Sequence, residues 1–253
     1  MLKIVRQRWI LWLYMLMTMS IIATFIVPLQ FQYTTSGIIF GTIVTTLGAV
    51  LLAALPAYLI AGVMAGIIRL PKWLQSLTSV MVYILAGMPS IILGVIGFLL
   101  FSDTLGFGWS MLSAMLTLIL LLYPTLVTAF SQLLRPFNQR YGMAAKSFDI
   151  GPVEFLFRLS PAYQKGKILE ALILGWATSL GDTAAVMLTC GALTSFPESV
   201  MDSIRLLNYH IFLLAMDIPG GMPEARSLSL LLIIFLLFLF ITPRIAHRYF
   251  SED

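Results

Sequence analysis

Residues 109–131 read WSMLSAMLTLILLLYPTLVTAFS, without one Asp, Glu, Lys or Arg. At 1.5 Å per residue a helix of this length reaches about 35 Å, enough to cross about 30 Å of hydrocarbon. Lipid offers no partner to an unpaired peptide group, so such a stretch satisfies its backbone internally, as a helix. Five more apolar segments flank it, at about 9–29, 38–68, 79–101, 168–193 and 227–245. The expected fold class is therefore all-α, a polytopic membrane protein with six transmembrane helices in a single domain spanning 1–253.

Composition agrees. Sixty per cent of the 253 residues are apolar and ten per cent are charged, against about 25% charged residues in a soluble domain. The net charge of +4 is not gathered into a patch for nucleic acid; the basic residues sit between the apolar segments. The only cysteine, Cys190, excludes an internal disulfide and reads as a small packing residue. Lys3, Arg6 and Arg8 precede the first apolar run, whose length predicts a retained helix rather than a short signal core. The second segment exceeds a simple span, and Pro56 near its middle predicts a kink.

Basic residues set the orientation. With the N-terminus inside, 13 of the 15 Lys and Arg fall on the cytoplasmic side, and only Arg205 and Arg226 fall outside. Both termini are thus expected in the cytoplasm. The cytoplasmic stretch 132–167 carries six basic residues and enough amphipathic sequence for one or two short helices. The outer stretch 194–226, with Pro197, Pro219, Gly220, Gly221 and Pro223, reads as a punctuated loop.

No Gly-rich phosphate loop with a following Lys-Ser/Thr pair is present, so ATP binding of that kind is not expected of this chain. His210 and His247 lie outside the apolar segments with no Cys or carboxylate at metal-ligand spacing. No catalytic group, metal or cofactor is expected. Asp182 is an ionisable residue well inside a span, about 21 Å along a helix begun at Ile168. A carboxylate at that depth faces a polar path or a partner. With Thr178, Ser179, Gly181, Thr183 and Thr189 around it, the patch either lines a pathway or packs helices closely. Gly87-Met88-Pro89-Ser90 interrupts the third segment. Such breaks line transport sites near mid-membrane, or simply bend a helix.

Leu85-Ala-Gly-Met-Pro-Ser-Ile-Ile-Leu-Gly94 resembles a stretch of the phosphate-type (Pst-like) permease subunits of bacterial binding-protein-dependent ABC importers. Gly181-Asp-Thr-Ala-Ala185 is similar to the Gly-Glu-Thr-Ala motif of the same family, and Tyr141 to Gly175 resembles its cytoplasmic coupling region. Ala144-Ala145 and Pro161 keep the pattern of that region, whereas Met143 replaces its acidic residue and Asp149 its glycine, with Gly151 two positions later. Thr178 stands where phosphate permeases carry an arginine, and Asp182 where they carry Glu. The missing guanidinium removes a donor suited to oxyanions. The resemblance covers roughly residues 37–193.

The resemblance implies a transport subunit of the bacterial inner (cytoplasmic) membrane, for phosphate or a related oxyanion. Its partners would be two ATP-binding subunits carrying ATP and Mg, a second permease chain, identical or not, and a periplasmic solute-binding protein. The translocation path would be carried by Pro89, Ser90, Thr178, Asp182 and Thr183. ATPase coupling would fall to Ala144, Ala145, Phe148, Asp149, Gly151 and Phe155, unless the two aromatics rest in the membrane interface instead. The stretch 194–226 would meet the binding protein or serve as a connector. Two other readings stay open: an ABC permease for a different, organic solute, and a stand-alone carrier or channel built on Asp182.

Overall fold

The computed structural model describes the backbone of residues 33–250 and the side chains of residues 36–241; the expected span at 9–29 lies outside them. Among the described residues there is no β-strand. Helix α1 covers Tyr33–Met64, α2 Lys72–Gly87 and α3 Ser90–Gly97, which widens into a π-helical turn over Phe98–Thr104. Helix α4 runs over Met111–Ser147. Helix α5 is the single turn Pro152–Glu154, followed by a second π turn at Phe155–Leu159. Helices α6, α7 and α8 cover Ser160–Gly181, Leu207–Met216 and Met222–Phe250.

Three stretches are long and apolar enough to cross a membrane: Ser36–Met64, Met111–Ser147 and Met222–Ile241. A fourth would be the pair Lys72–Gly87 and Ser90–Thr104, bent by 109°. Several boundaries differ from those expected. The third segment is two helices, because Pro89 gives no N–H to continue α2 and forces Met88 into an extended conformation. Helix α4 does not stop at residue 131 but carries its backbone bonds on through polar sequence to Ser147. The fifth segment ends as a helix at Gly181 rather than near residue 193. The outer stretch holds a helix, α7, between its Pro and Gly residues. Pro56 lies inside an unbroken α1.

The centre of the fold is the seam between α1 and α4. Ala49, Ala53, Ala57 and Ala61 recur every four residues and are fully buried. Facing them, Leu118, Leu122, Leu126, Phe130 and Leu134 recur at the same interval on α4 and join the same core. Ridge meets groove on the i, i+4 rows, and alanine lets the backbones approach without a side chain between them. The opposite side of α1, with Leu51, Leu52, Leu55 and Leu59, is exposed, as a lipid-facing surface should be. Thr42, Thr45 and Thr46 donate to carbonyls four residues back, and Thr46 accepts from the Trp176 indole at 2.9 Å, tying α6 to α1.

Tyr58 ties α1 to the α5–α6 junction. Its buried hydroxyl lies 3.1 Å from the Leu156 carbonyl oxygen and 3.0 Å from the Ser160 hydroxyl, and its ring meets Phe130 edge-on. Tyr58→Phe removes the polar link while keeping the ring. A loss of about 1–2 kcal/mol is expected, to be read from the unfolding midpoint of the purified chain in mild detergent.

Candidate functional site

The break at Gly87–Pro89 and the end of α6 at Gly181 lie close together, because α3 packs on the chain that follows α6. A Cβ on Gly94 would sit 2.9 Å from the carbonyl oxygens of both Ala184 and Ala185. One turn on, a Cβ on Gly97 would strike the side chain of Thr117 on α4, at 2.6 Å from its methyl carbon. The two stretches that carry the family resemblance, 85–94 and 181–185, are therefore in backbone contact.

Asp182 ends α6 with extended backbone, φ −91° and ψ 118°. It is a junction residue, not one inside a helix as hydropathy suggested. Its Oδ1 accepts from the Ala185 N–H at 2.9 Å, at the start of the turns over 184–189. Its main-chain carbonyl accepts from the Asn208 side-chain amide. An apolar helix ends here because Gly181 weakens it and the carboxylate offers the next N–H groups a competing acceptor.

Beside this contact lies a cavity of about 420 Å³. Leu85, Ala86 and Met88 line it at the break, Leu93 from α3, and Leu174 and Thr178 from α6. Helix α4 contributes the largest share, including Pro124, Thr125, Thr128 and Gln132. Of the expected pathway residues, Thr178 lines the cavity. Pro89 and Ser90 adjoin Met88 without lining it, and Asp182 and Thr183 lie beyond it. Thr178 donates to the Leu174 carbonyl at 2.9 Å. No charged side chain lines the space, so it can hold a solute only through neutral hydroxyl, amide and backbone groups.

Thr125, Thr128 and Gln132 were missed by sequence reasoning. Their spacing of three and four puts them on one helical face, a signal visible within 109–131 but masked by its hydropathy. Pro136 in addition has no N–H to give the Gln132 carbonyl.

The far end of α4 builds a different surface. Ile150 N–H returns to the Ala145 carbonyl at 2.9 Å and Asp149 N–H to Lys146 at 3.1 Å, the paired bonds of a Schellman ending. Asp149 takes φ 56° there, the left-handed conformation usually given to glycine. This accounts for the departure at this position: Asp149 itself makes the turn, and Gly151, at φ −67°, does not need glycine's freedom. Ala144 is exposed and Ala145 buried. Phe148 is 79% exposed, whereas Phe155 is 3% exposed against Phe137, with ring centres 5.1 Å apart. Phe155 thus anchors the segment inwardly instead of presenting a docking ring. Met143, Val153 and Tyr163 are likewise exposed on this part of the chain.

Long apolar helices, a lipid-facing side and so few charges make this an α-helical membrane protein. No family model matches the chain. Its sequence is similar to the phosphate transport system permease protein PstA of Mycobacterium leprae (strain TN), 30% identical over 136 residues, covering 52% of this chain and 45% of that protein. It is also similar to PstA 1 of Mycobacterium tuberculosis, 28% identical over 191 residues, covering 73% of this chain and 61% of the relative. The chain spans about half to three fifths of the length of the curated relatives it matches. The resemblance to phosphate-type permeases extends well beyond the short motifs.

Proposed function

We propose that this chain is the membrane-spanning permease subunit of an ATP-driven ABC importer for phosphate or a related oxyanion. The observation that carries this reading is the similarity to PstA proteins over 73% of the chain. On this reading the chain has six spans with both termini cytoplasmic, in a bacterial inner membrane. Two ATP-binding subunits, which hold the ATP and Mg, dock on the exposed patch at Phe148. A second permease chain completes the path, and a periplasmic binding protein delivers the solute. The neutral lining of the cavity beside Thr178 favours one amendment: either the second chain supplies the positive charge, or the solute is organic.

Affinity purification from native membranes in mild detergent, with mass spectrometry of the co-purifying proteins, tests the assembly. A P-loop ATPase is expected in stoichiometric amounts. Recovery of the chain alone in several detergents overturns the importer reading in favour of a self-sufficient carrier. Asp182→Ala is expected to lower solute uptake roughly five- to tenfold, since losing the side-chain bond to Ala185 removes about 1 kcal/mol of local order. The complex should still assemble. Uptake at the wild-type rate would remove Asp182 from the transport path.

A further inference from the structure

Residues 204–208 form a strap held at three points. Ile204 N–H donates to the Cys190 carbonyl at 2.9 Å, Leu207 N–H to the Thr42 hydroxyl at 2.8 Å, and the Asn208 amide to Asp182. This fixes the backbone under Arg205. The half-buried guanidinium has a buried Nε without a hydrogen-bond partner among the described residues, and Arg205 makes no ion pair there; the pair found is Arg158–Glu154. Its Nη1 lies 3.5 Å from the Nδ1 of buried His210, the long limit of a hydrogen bond. A charged donor removed from water and left unpaired is costly, and such groups are ordinarily satisfied.

The surroundings supply no counter-charge. The nearest carboxylate in sequence, Asp202, is already bonded to the N–H groups of Glu198 and Ser199. Asp182 is turned to Ala185. Residues 36–64 of α1 carry no charged residue, and Glu224 and Arg226 on α8 are exposed. Cys190 and Tyr209, on the neighbouring chain, are a thiol and a phenol and bring no carboxylate. Burial first, and the Arg205 charge second, hold the His210 ring below the usual imidazole range. A neutral His210 can accept from Arg205, but once protonated both are donors with nothing between them.

We propose that Arg205 and His210 form a binding site for a small oxyanion, with inorganic phosphate and sulfate as the chemical class. The planar guanidinium matches two oxygens of such an ion, and an imidazolium adds a third donor. The ion supplies the acceptor that the buried Nε lacks and removes the repulsion between the two cations. Binding therefore takes up a proton at His210 and weakens as pH rises through that group's bound-state titration. The site stands on these two side chains and not on the transport assignment.

The test uses the 253-residue chain in lipid nanodiscs with carbon-13-labelled histidine. Two histidine signals are expected, from His210 and His247, and His210→Gln assigns them. Adding inorganic phosphate to a chloride buffer should move the His210 titration to higher pH and leave His247 in place, with sulfate acting alike. Arg205→Gln should weaken the phosphate effect about tenfold or more, as expected for loss of a charged hydrogen bond. A His210 titration unmoved by millimolar phosphate in the unmutated chain overturns the site. So does a phosphate effect of undiminished affinity in Arg205→Gln. Either result leaves co-purification with an ATPase untouched, so the two readings fail separately.

Discussion

Gly94→Val is expected to reduce the amount of folded chain in the membrane severalfold and to cut uptake more than tenfold. The branched side chain would begin 2.9 Å from two main-chain carbonyl oxygens, of Ala184 and Ala185. Neither can rotate away as a flexible side-chain end would, so α3 and the chain after α6 must separate. Overpacking of this kind costs about 1–3 kcal/mol, and here the displaced backbone adjoins the cavity. Gly181→Ala is the control, since nothing lies within 4 Å of its Cβ position; it should accumulate as the unmutated chain does. Quantitative immunoblotting after mild extraction, together with labelled-phosphate uptake, measures both effects. Wild-type accumulation and uptake in Gly94→Val would show that the two segments are not packed in the working protein.

Phe148→Asp should separate assembly from folding. The ring is 79% exposed in the isolated chain, so its replacement should change the chain's own stability by less than about 0.5 kcal/mol. On the proposed reading the ring is covered by an ATPase subunit. The substitution then removes a central aromatic contact and places a charge in a desolvated interface, a loss of about 3 kcal/mol or more. That corresponds to at least about a hundredfold weaker association, and the ATPase should vanish from the co-purified material. Undiminished recovery of the ATPase would move the docking surface elsewhere.

How much of this was legible depends on which physical signal marked it. The scarcity of charge marks a membrane protein, and Pro89 marks the break between α2 and α3 because a missing N–H cannot be compensated locally. Hydropathy was a poorer guide to helix ends. It stops at the hydrocarbon edge, whereas the backbone bonds of α4 continue to Ser147 through residues that suit a helix in water. It likewise ran past Gly181, where the competing feature was local: an Asp side chain accepting from an N–H three residues ahead. Helix α7 was hidden by the turn residues around it. Thr178 was found through its place in the polar patch four residues before Asp182, but its partners Thr125, Thr128 and Gln132 belong to another helix, and only the fold brings them to one cavity. Arg205 read simply as a cation outside the apolar segments; its isolation from any counter-ion is a property of packing.

The continuity of α4 has a mechanical consequence. From Gln132 at the cavity to Phe148 at the exposed end is one uninterrupted helical path of about 24 Å at 1.5 Å per residue. A tilt of about 10° about the cavity would swing the Phe148 end by about 4 Å on this helix geometry, with no loop between to absorb the motion. On the proposed reading, α4 would serve as a pushrod that carries movement between Phe148 and the cavity side chains Thr125, Thr128 and Gln132.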